Sequence, residues 1–193
     1  MSFFNQSQGK GKSIYRRGAD DGFWFGIYLS LLFLAMVTSI YSALAGIASA
    51  AMFIAVPFII FFFLRRSYRA DNCTSQFSAL WLHGICIFFF GSLLMALTAY
   101  VYLRFINPAY ITNIVDMAIE VYGTVDSPDA HEMVTLLQKA KDSHILPTAG
   151  GTAVQIIWAG VFSGSLLSMI VAAIVRATSR PTLPPPPPPA QFN

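Results

Sequence analysis

The amino-acid sequence predicts an all-α membrane protein: four transmembrane helices, with a helical insert outside the bilayer between the third and the fourth. Three observations predict it. Of 193 residues, 55% are hydrophobic and 11% charged, against about 25% charged residues in a soluble domain. The mean hydropathy is +0.60. No Asp, Glu, Lys or Arg falls between Asp21 and Arg65, between Asp71 and Arg104, or between Asp142 and Arg176, and these gaps hold nearly all the hydrophobic mass. A soluble globular fold is excluded on this pattern. A disulfide-stapled secreted module is excluded too, because Cys73 and Cys86 are the only cysteines.

The first gap, Gly22 to Leu64, is about twice the roughly 20 residues needed to cross a hydrocarbon core, so it holds two spans. They are placed near Trp24–Tyr41 and Ile47–Leu64, with the small stretch Ser42-Ala43-Leu44-Ala45-Gly46 as the turn between them. The second gap gives a span near Leu80–Leu103, opened by Trp81 and closed by Tyr100, Tyr102 and Arg104, and the third a span near Thr152–Val175. Each must be helical, because lipid offers no partner for backbone N–H and C=O groups and none of the runs alternates like a barrel strand. The chain thus divides into a basic N-terminal segment (1–22), a helical hairpin (23–64), a basic loop (65–79), the third span (80–104), the insert (105–151), the fourth span (152–175) and a Pro-rich tail (176–193).

The cations give the orientation. Lys10, Lys12, Arg16, Arg17, Arg65, Arg66, Arg69, Arg176 and Arg180 flank one side; Arg104, Lys139 and Lys141 share the other with Asp116, Glu120, Asp126, Asp129, Glu132 and Asp142. By the positive-inside rule both termini are expected in the cytoplasm, with the chain in the cytoplasmic (inner) membrane. The pI near 9.0 then reflects the bias toward anionic headgroups, and nucleic acid is not an expected partner. A cleaved signal peptide ending at Ala43-Leu44-Ala45 fits poorly, since the apolar run from Phe23 exceeds an h-region of about 7–15 residues. Gly11-Lys12-Ser13 resembles the end of a phosphate loop, but the leading glycine that spacing requires falls on Gln6.

The insert has its own helix grammar. Asn107 is read as an N-cap followed by Pro108 at the first helical position, with Ile111, Ile114, Val115, Ala118, Val121 and Tyr122 on the apolar side, Thr112, Asn113, Asp116 and Glu120 on the wet side, and Gly123 at the stop. A second helix starts with Ser127 as cap and Pro128 first; Asp129 and Glu132 suit its positive end, Lys139 and Lys141 its negative end, and Ala130, Met133, Val134, Leu137 and Ala140 form its stripe. Pro147 and Gly150-Gly151 are read as the turn back into the membrane. Two short helices with apolar stripes need a surface: each other, the headgroups, or a partner. As a docking platform, its residues are Ile111, Ile114, Val115, Ala118, Met133, Val134 and Leu137. His131 and His144, near Asp129, Glu132 and Asp142, match no zinc spacing, and neither a metal nor a cofactor is expected.

On the fourth span Gly160, Gly164, Ser168 and Ala172 recur every four residues, a smooth face for close helix packing, either within the bundle or in a homodimer. Gly91, Ser92, Ala96 and Ala99 on the third span are a complementary surface. Pro57 should kink the second span. The middle of every span lacks a charge, which disfavours an ion path through one protomer. His83, beside Trp81, is read as an interfacial histidine and Cys86 as a packing residue. No serine elbow, HExxH or nucleotide loop is present, so an enzyme is not expected. Arg180-Pro181-Thr182-Leu183 and the proline run 184–189 form a polyproline II spacer or a ligand for an aromatic groove.

The Trp81-x-x-Gly84 opening of the third span, the exit Tyr100-Val101-Tyr102-Leu103-Arg104-Phe105-Ile106-Asn107-Pro108 and the helical insert before the fourth span resemble a bacterial family of four-span integral membrane proteins of unknown function, over roughly residues 20–178. The resemblance implies a cytoplasmic-membrane protein without an assigned activity, whose genes often neighbour a polyisoprenyl-phosphate glycosyltransferase; the polyproline tail departs from the family pattern. The expected function is a non-enzymatic accessory or assembly subunit of the cell envelope. It would sit in the lipid bilayer with a membrane-protein partner or a second copy of itself. The rival is a small homo-oligomeric transporter or channel, which would need Ser30, Thr38, Ser92, Thr98, Ser163 and Ser168 on one shared axis.

Overall fold

The computed structural model describes residues 14–143 and 145–179. Lys10, Lys12, the Gly11-Lys12-Ser13 fragment, His144, Arg180 and the polyproline run lie outside the described residues. The elements are α1 (Ile14–Thr38), α2 (Ala43–Ala70), α3 (Phe77–Val101) running on into a π-helical turn (Tyr102–Ile106), α4 (Tyr110–Gly123), α5 (Pro128–Asp142) and α6 (Ala149–Thr178). The fold is all-α. Four helices, Tyr15–Thr38, Ala43–Ala70, Phe77–Ile106 and Ala149–Thr178, are long and apolar enough to cross a membrane, while α4 and α5 pair with each other as the insert.

The bundle is organised around α3, which packs along its length on α1 and on α6, while α2 closes the other side against α1 and α6. In lipid no hydrophobic driving force presses helices together, so their association rests on close backbone approach and shape. Both seams are built that way. On α1, Gly18, Gly22 and Gly26 recur every four residues, and a Cβ at those positions would lie 2.5, 2.8 and 2.9 Å from the Cβ atoms of Cys86, Phe90 and Leu94 on α3. In return Gly91 of α3 receives the Phe25 ring of α1, whose Cδ1 would be 2.8 Å from an added Cβ. The core proper consists of Phe25, Leu29 and Leu32 with Ile60, Leu64, Ile87, Phe88, Val171 and Val175. Phe25 and Phe88 meet edge to face at 5.1 Å between centroids, a favoured aromatic geometry.

α2 is the loose member: only 11% of its apolar window is buried against 39% for α1 and for α3. Tyr28 Oη of α1 donates to the Met52 carbonyl of α2 at 2.5 Å. Pro57 sits inside α2 without ending it.

Several boundaries differ from the sequence expectation. The first turn occupies residues 39–42, and Ala43–Gly46 is already helix: small apolar residues propagate a helix as readily as they end one. α1 begins at Ile14, so Arg16, Arg17, Asp20 and Asp21 are helical; Arg is a good helix former, and Arg17 and Asp21 find partners at the bundle end. Asn107 does not cap α4. Its N–H donates to the Tyr102 carbonyl at 2.9 Å, closing the π turn, and its carbonyl accepts from Tyr110 N–H, so Pro108 and Ala109 form the turn before α4. Gly150 and Gly151 lie in the first turn of α6, because the Thr148 hydroxyl caps it by accepting from Gly151 N–H at 3.1 Å. Ser127 does cap α5, accepting from Ala130 N–H at 3.2 Å with Pro128 first.

Candidate functional site

The polar side chains of the bundle gather at its basic end, where α1 begins, α2 ends and α3 begins. α2 is followed by two consecutive residues with left-handed backbone, Asn72 (φ 53°) and Cys73 (φ 59°). Asn tolerates that region; Cys does so at a cost, which marks the turn as held by its surroundings. What holds it is Asp71. Its Oδ1 accepts from Arg17 Nη1 at 2.6 Å and its Oδ2 from Ser75 Oγ at 2.7 Å, so one carboxylate ties the α2–α3 turn to α1. Burial alone would raise the Asp71 pKa, but the hydrogen bonds from Ser75 and Arg17 and the guanidinium charge outweigh it and hold the carboxyl below its ordinary range.

One turn deeper, His83 is 2% exposed, with Nε2 at 3.2 Å from Asp21 Oδ2, at ion-pair distance but outside hydrogen-bond alignment. His83 lies near the start of α3 and is covered by the bundle. Trp81 Nε1 donates to the Ser165 carbonyl at 3.0 Å and so ties α3 to α6. Beside this network a cavity of about 590 Å³ opens between α1 and α2, lined by Arg17, Asp20, Asp21, Trp24, Arg66 and Ser67 among others. The Asp21–His83 approach was not legible in the sequence, because 62 positions separate the two residues. The available signal was the Gly18, Gly22, Gly26 spacing, which forecasts tight α1–α3 contact.

The small-residue face of α6 lies on α3. An added Cβ at Gly160 would be 2.7 Å from Ser92 Cβ, and one at Gly164 would run into the Phe88 ring. Ser168 fills the space over Gly84, 2.6 Å from where its Cβ would be, and Ala172 is fully buried. The complementary surface proposed on α3 divides: Ser92 meets α6, whereas Gly91 meets α1. The six hydroxyl residues that a pore would need are also separated. Ser92 and Ser168 are buried between α3 and α6, Thr98 donates to Ser30 at 3.1 Å between α3 and α1, and Thr38 and Ser163 bond to carbonyls of their own helices.

At the opposite end, the Tyr-rich exit is the π turn. A π turn inserts one extra residue per turn and often accompanies a functional position. Here it swings Tyr102 between α1 and α4, with its ring 6.0 Å from Phe33 and 5.7 Å from Tyr110, both edge to face. A cleft of about 230 Å³ lies between this turn, Ile111 and Thr112 of α4 and the Leu146–Ala149 stretch before α6. Beyond it α4 and α5 form a hairpin, bridged by Lys141 and Asp116. Within that hairpin Ile111, Val115, Ala118, Val134 and Leu137 are half-buried and Ala130 is buried. Ile114 and Met133 remain exposed, together with Met117, Val121 and Leu136. The apolar arc of α4 is therefore wider than its contact with α5. At about 100° per residue, Ile114, Met117 and Val121 form a second stripe beside the packed one. His131 is exposed, and among the described residues no group of three or more His, Cys, Asp or Glu is placed to hold a metal ion.

No curated protein and no solved structure matches the chain. A family model does match, over residues 20–177, a stretch that includes nearly all of the four spans, the Asp21–His83 pair, the π turn and the hairpin. The chain belongs to that family, described as proteins of unknown function (DUF4199).

Proposed function

We propose that this protein is a non-enzymatic accessory or assembly subunit of a membrane complex, lying in the bacterial cytoplasmic membrane with its basic end in the cytoplasm and its hairpin outside. The carrying observation is the hairpin. Its two helices satisfy each other only in part and present Ile114, Met117, Val121 and Leu136 side by side with water-facing charges, a surface that a soluble partner domain or a neighbouring subunit would cover. The small-residue faces of α1 and α6 are used inside the bundle. The scattered hydroxyls favour this reading over a pore lined by the chain. An enzyme of lipid-linked glycan synthesis in the cell envelope is the first partner to test, on the strength of the family resemblance.

The test is purification from native membranes in mild detergent, with the mass of the intact complex and of its constituents measured together. A stoichiometric foreign subunit, lost from Met117→Asp and Val121→Asp variants that keep their thermal stability, is the expected result. A pure homo-oligomer unaffected by those substitutions would overturn the reading and direct the next experiment to flux in liposomes.

A further inference from the structure

The cavity at the basic end is not absorbed by the accessory role, and its chemistry is specific. Its depth is set by the sequence. The charge-free run of α1 begins immediately after Asp21 and that of α2 ends immediately before Arg65. In antiparallel neighbours these two boundaries mark one level on α1 and α2, where charged side chains give way to hydrocarbon, while α3 and α6 continue apolar beyond it. Trp24, 66% exposed, stands at that level as a belt aromatic.

The wall carries both signs of charge. Arg17, held in place by Asp71, and Arg66 across from it offer guanidinium forks of the kind that bind phosphate oxygens in pairs. Asp20 and Asp21 offer carboxylates to a hydrogen-bond-donating cation. The polar cavity also has an apolar continuation. A second groove, of about 310 Å³, shares Ala19 and Phe23 with it and runs down the outer side of the α1–α3 seam past Phe90, Leu93, Leu94 and Leu97. From Phe90 to Leu97 that track is about 10 Å long, and it runs along the middle of α3, away from the charged end of α1.

A phosphate clamp, adjacent carboxylates and an apolar track leading from them along the lipid-facing side of the bundle together describe one kind of molecule. We infer that the α1–α2 cavity and the α1–α3 groove form a binding site for a single phospholipid with a zwitterionic primary-amine headgroup, phosphatidylethanolamine. Its phosphate lies on Arg17 and Arg66, its ammonium on Asp20 and Asp21, and one acyl chain lies along Phe23, Phe90 and Leu97. An anionic lipid such as phosphatidylglycerol would satisfy the arginines but bring neutral hydroxyls, and no cation, to the two carboxylates. A choline headgroup has no N–H to donate to them. The inference does not depend on the accessory reading.

The test uses the full chain, reconstituted in nanodiscs containing equal amounts of phosphatidylethanolamine, phosphatidylglycerol and phosphatidylcholine, re-extracted in mild detergent and weighed by native mass spectrometry. The expected result is one retained phosphatidylethanolamine per chain. Arg66→Gln and Asp20→Asn should each lower retention by about tenfold, the worth of one charge-assisted hydrogen bond. Leu97→Trp, at a lipid-facing position that leaves the folded bundle unchanged, should block the acyl track and lower retention with the headgroup residues intact; it keeps the test decisive if a charge variant does not fold. Retention in proportion to the bulk mixture, a preference for phosphatidylglycerol or phosphatidylcholine, or undiminished retention in folded Leu97→Trp would each overturn the assignment.

Discussion

The bundle seams and the external hairpin bury apolar residues under opposite rules. Along α3 the neighbours are matched knob by hole: Phe88 into Gly164, Phe25 into Gly91, Ser168 over Gly84, Ser92 against Gly160. Nothing there is gained by hiding hydrocarbon from water, so the contacts are selected for shape. In the proposed topology the α4–α5 hairpin lies beyond the hydrocarbon, where burial itself is favourable, yet its apolar arc is only partly covered. The contrast separates two roles for similar-looking residues. Small-residue spacing inside the membrane is structural, whereas surplus apolar width outside it points to an interaction.

The largest test of that comparison is Gly164→Leu. The Phe88 ring occupies the space an added Cβ would need, and Gly164 is buried, so the α3–α6 seam must open. The expected loss is about 3 kcal/mol or more, seen as low folded yield and a depressed melting temperature in detergent. Gly160→Leu, which meets the smaller Ser92, should lose less. Unchanged melting and unchanged detergent-solubilised mass in both variants would refute the packing face.

In the hairpin the effects are smaller and local. Ser127→Ala removes the cap of α5 and should cost about 1 kcal/mol, read as faster amide exchange at Ala130 and His131 with the bundle amides unaffected. Acid should act at the other end of the molecule. Because the folded Asp71 pKa lies below its ordinary value, its contribution to stability is complete above the ordinary aspartate range near 3.9 and is lost as pH falls through the lower folded value. An Asp71→Asn variant should therefore melt lower than the parent at pH 7, the gap closing toward pH 3. Smallest is Lys141→Ala. The Lys141–Asp116 bridge is 40% and 46% exposed, so about 0–1 kcal/mol is expected, diminishing with added salt.

Four spans and two insert helices were legible because their signals are local: apolar length, charge-free gaps, and the Ser127-Pro128 start. Errors came where one local signal had two meanings. Ala43–Gly46 and Gly150-Gly151 read as turns because small residues and glycines serve turns, and both are helical, the latter because Thr148 caps them. Asn107-Pro108 read as a helix start, but the preceding helix claimed Asn107 for its π turn. The basic-end site went unread for a different reason. Asp21, Asp71 and His83 look like loop or interface residues in sequence, and only the close α1–α3 approach permitted by Gly18 and Gly22 covers His83 and brings it to Asp21.

The sequence by itself determined the solvent of each segment, since transfer of charge into hydrocarbon is so costly that the placement of Asp, Glu, Lys and Arg dictates where lipid begins and ends. Only the tertiary structure decided which faces of those helices meet. The choice between α1 and α6 as the partner of Gly91 or Ser92 turns on shape complementarity between chain segments far apart in sequence, and shape, unlike polarity, is a property of pairs.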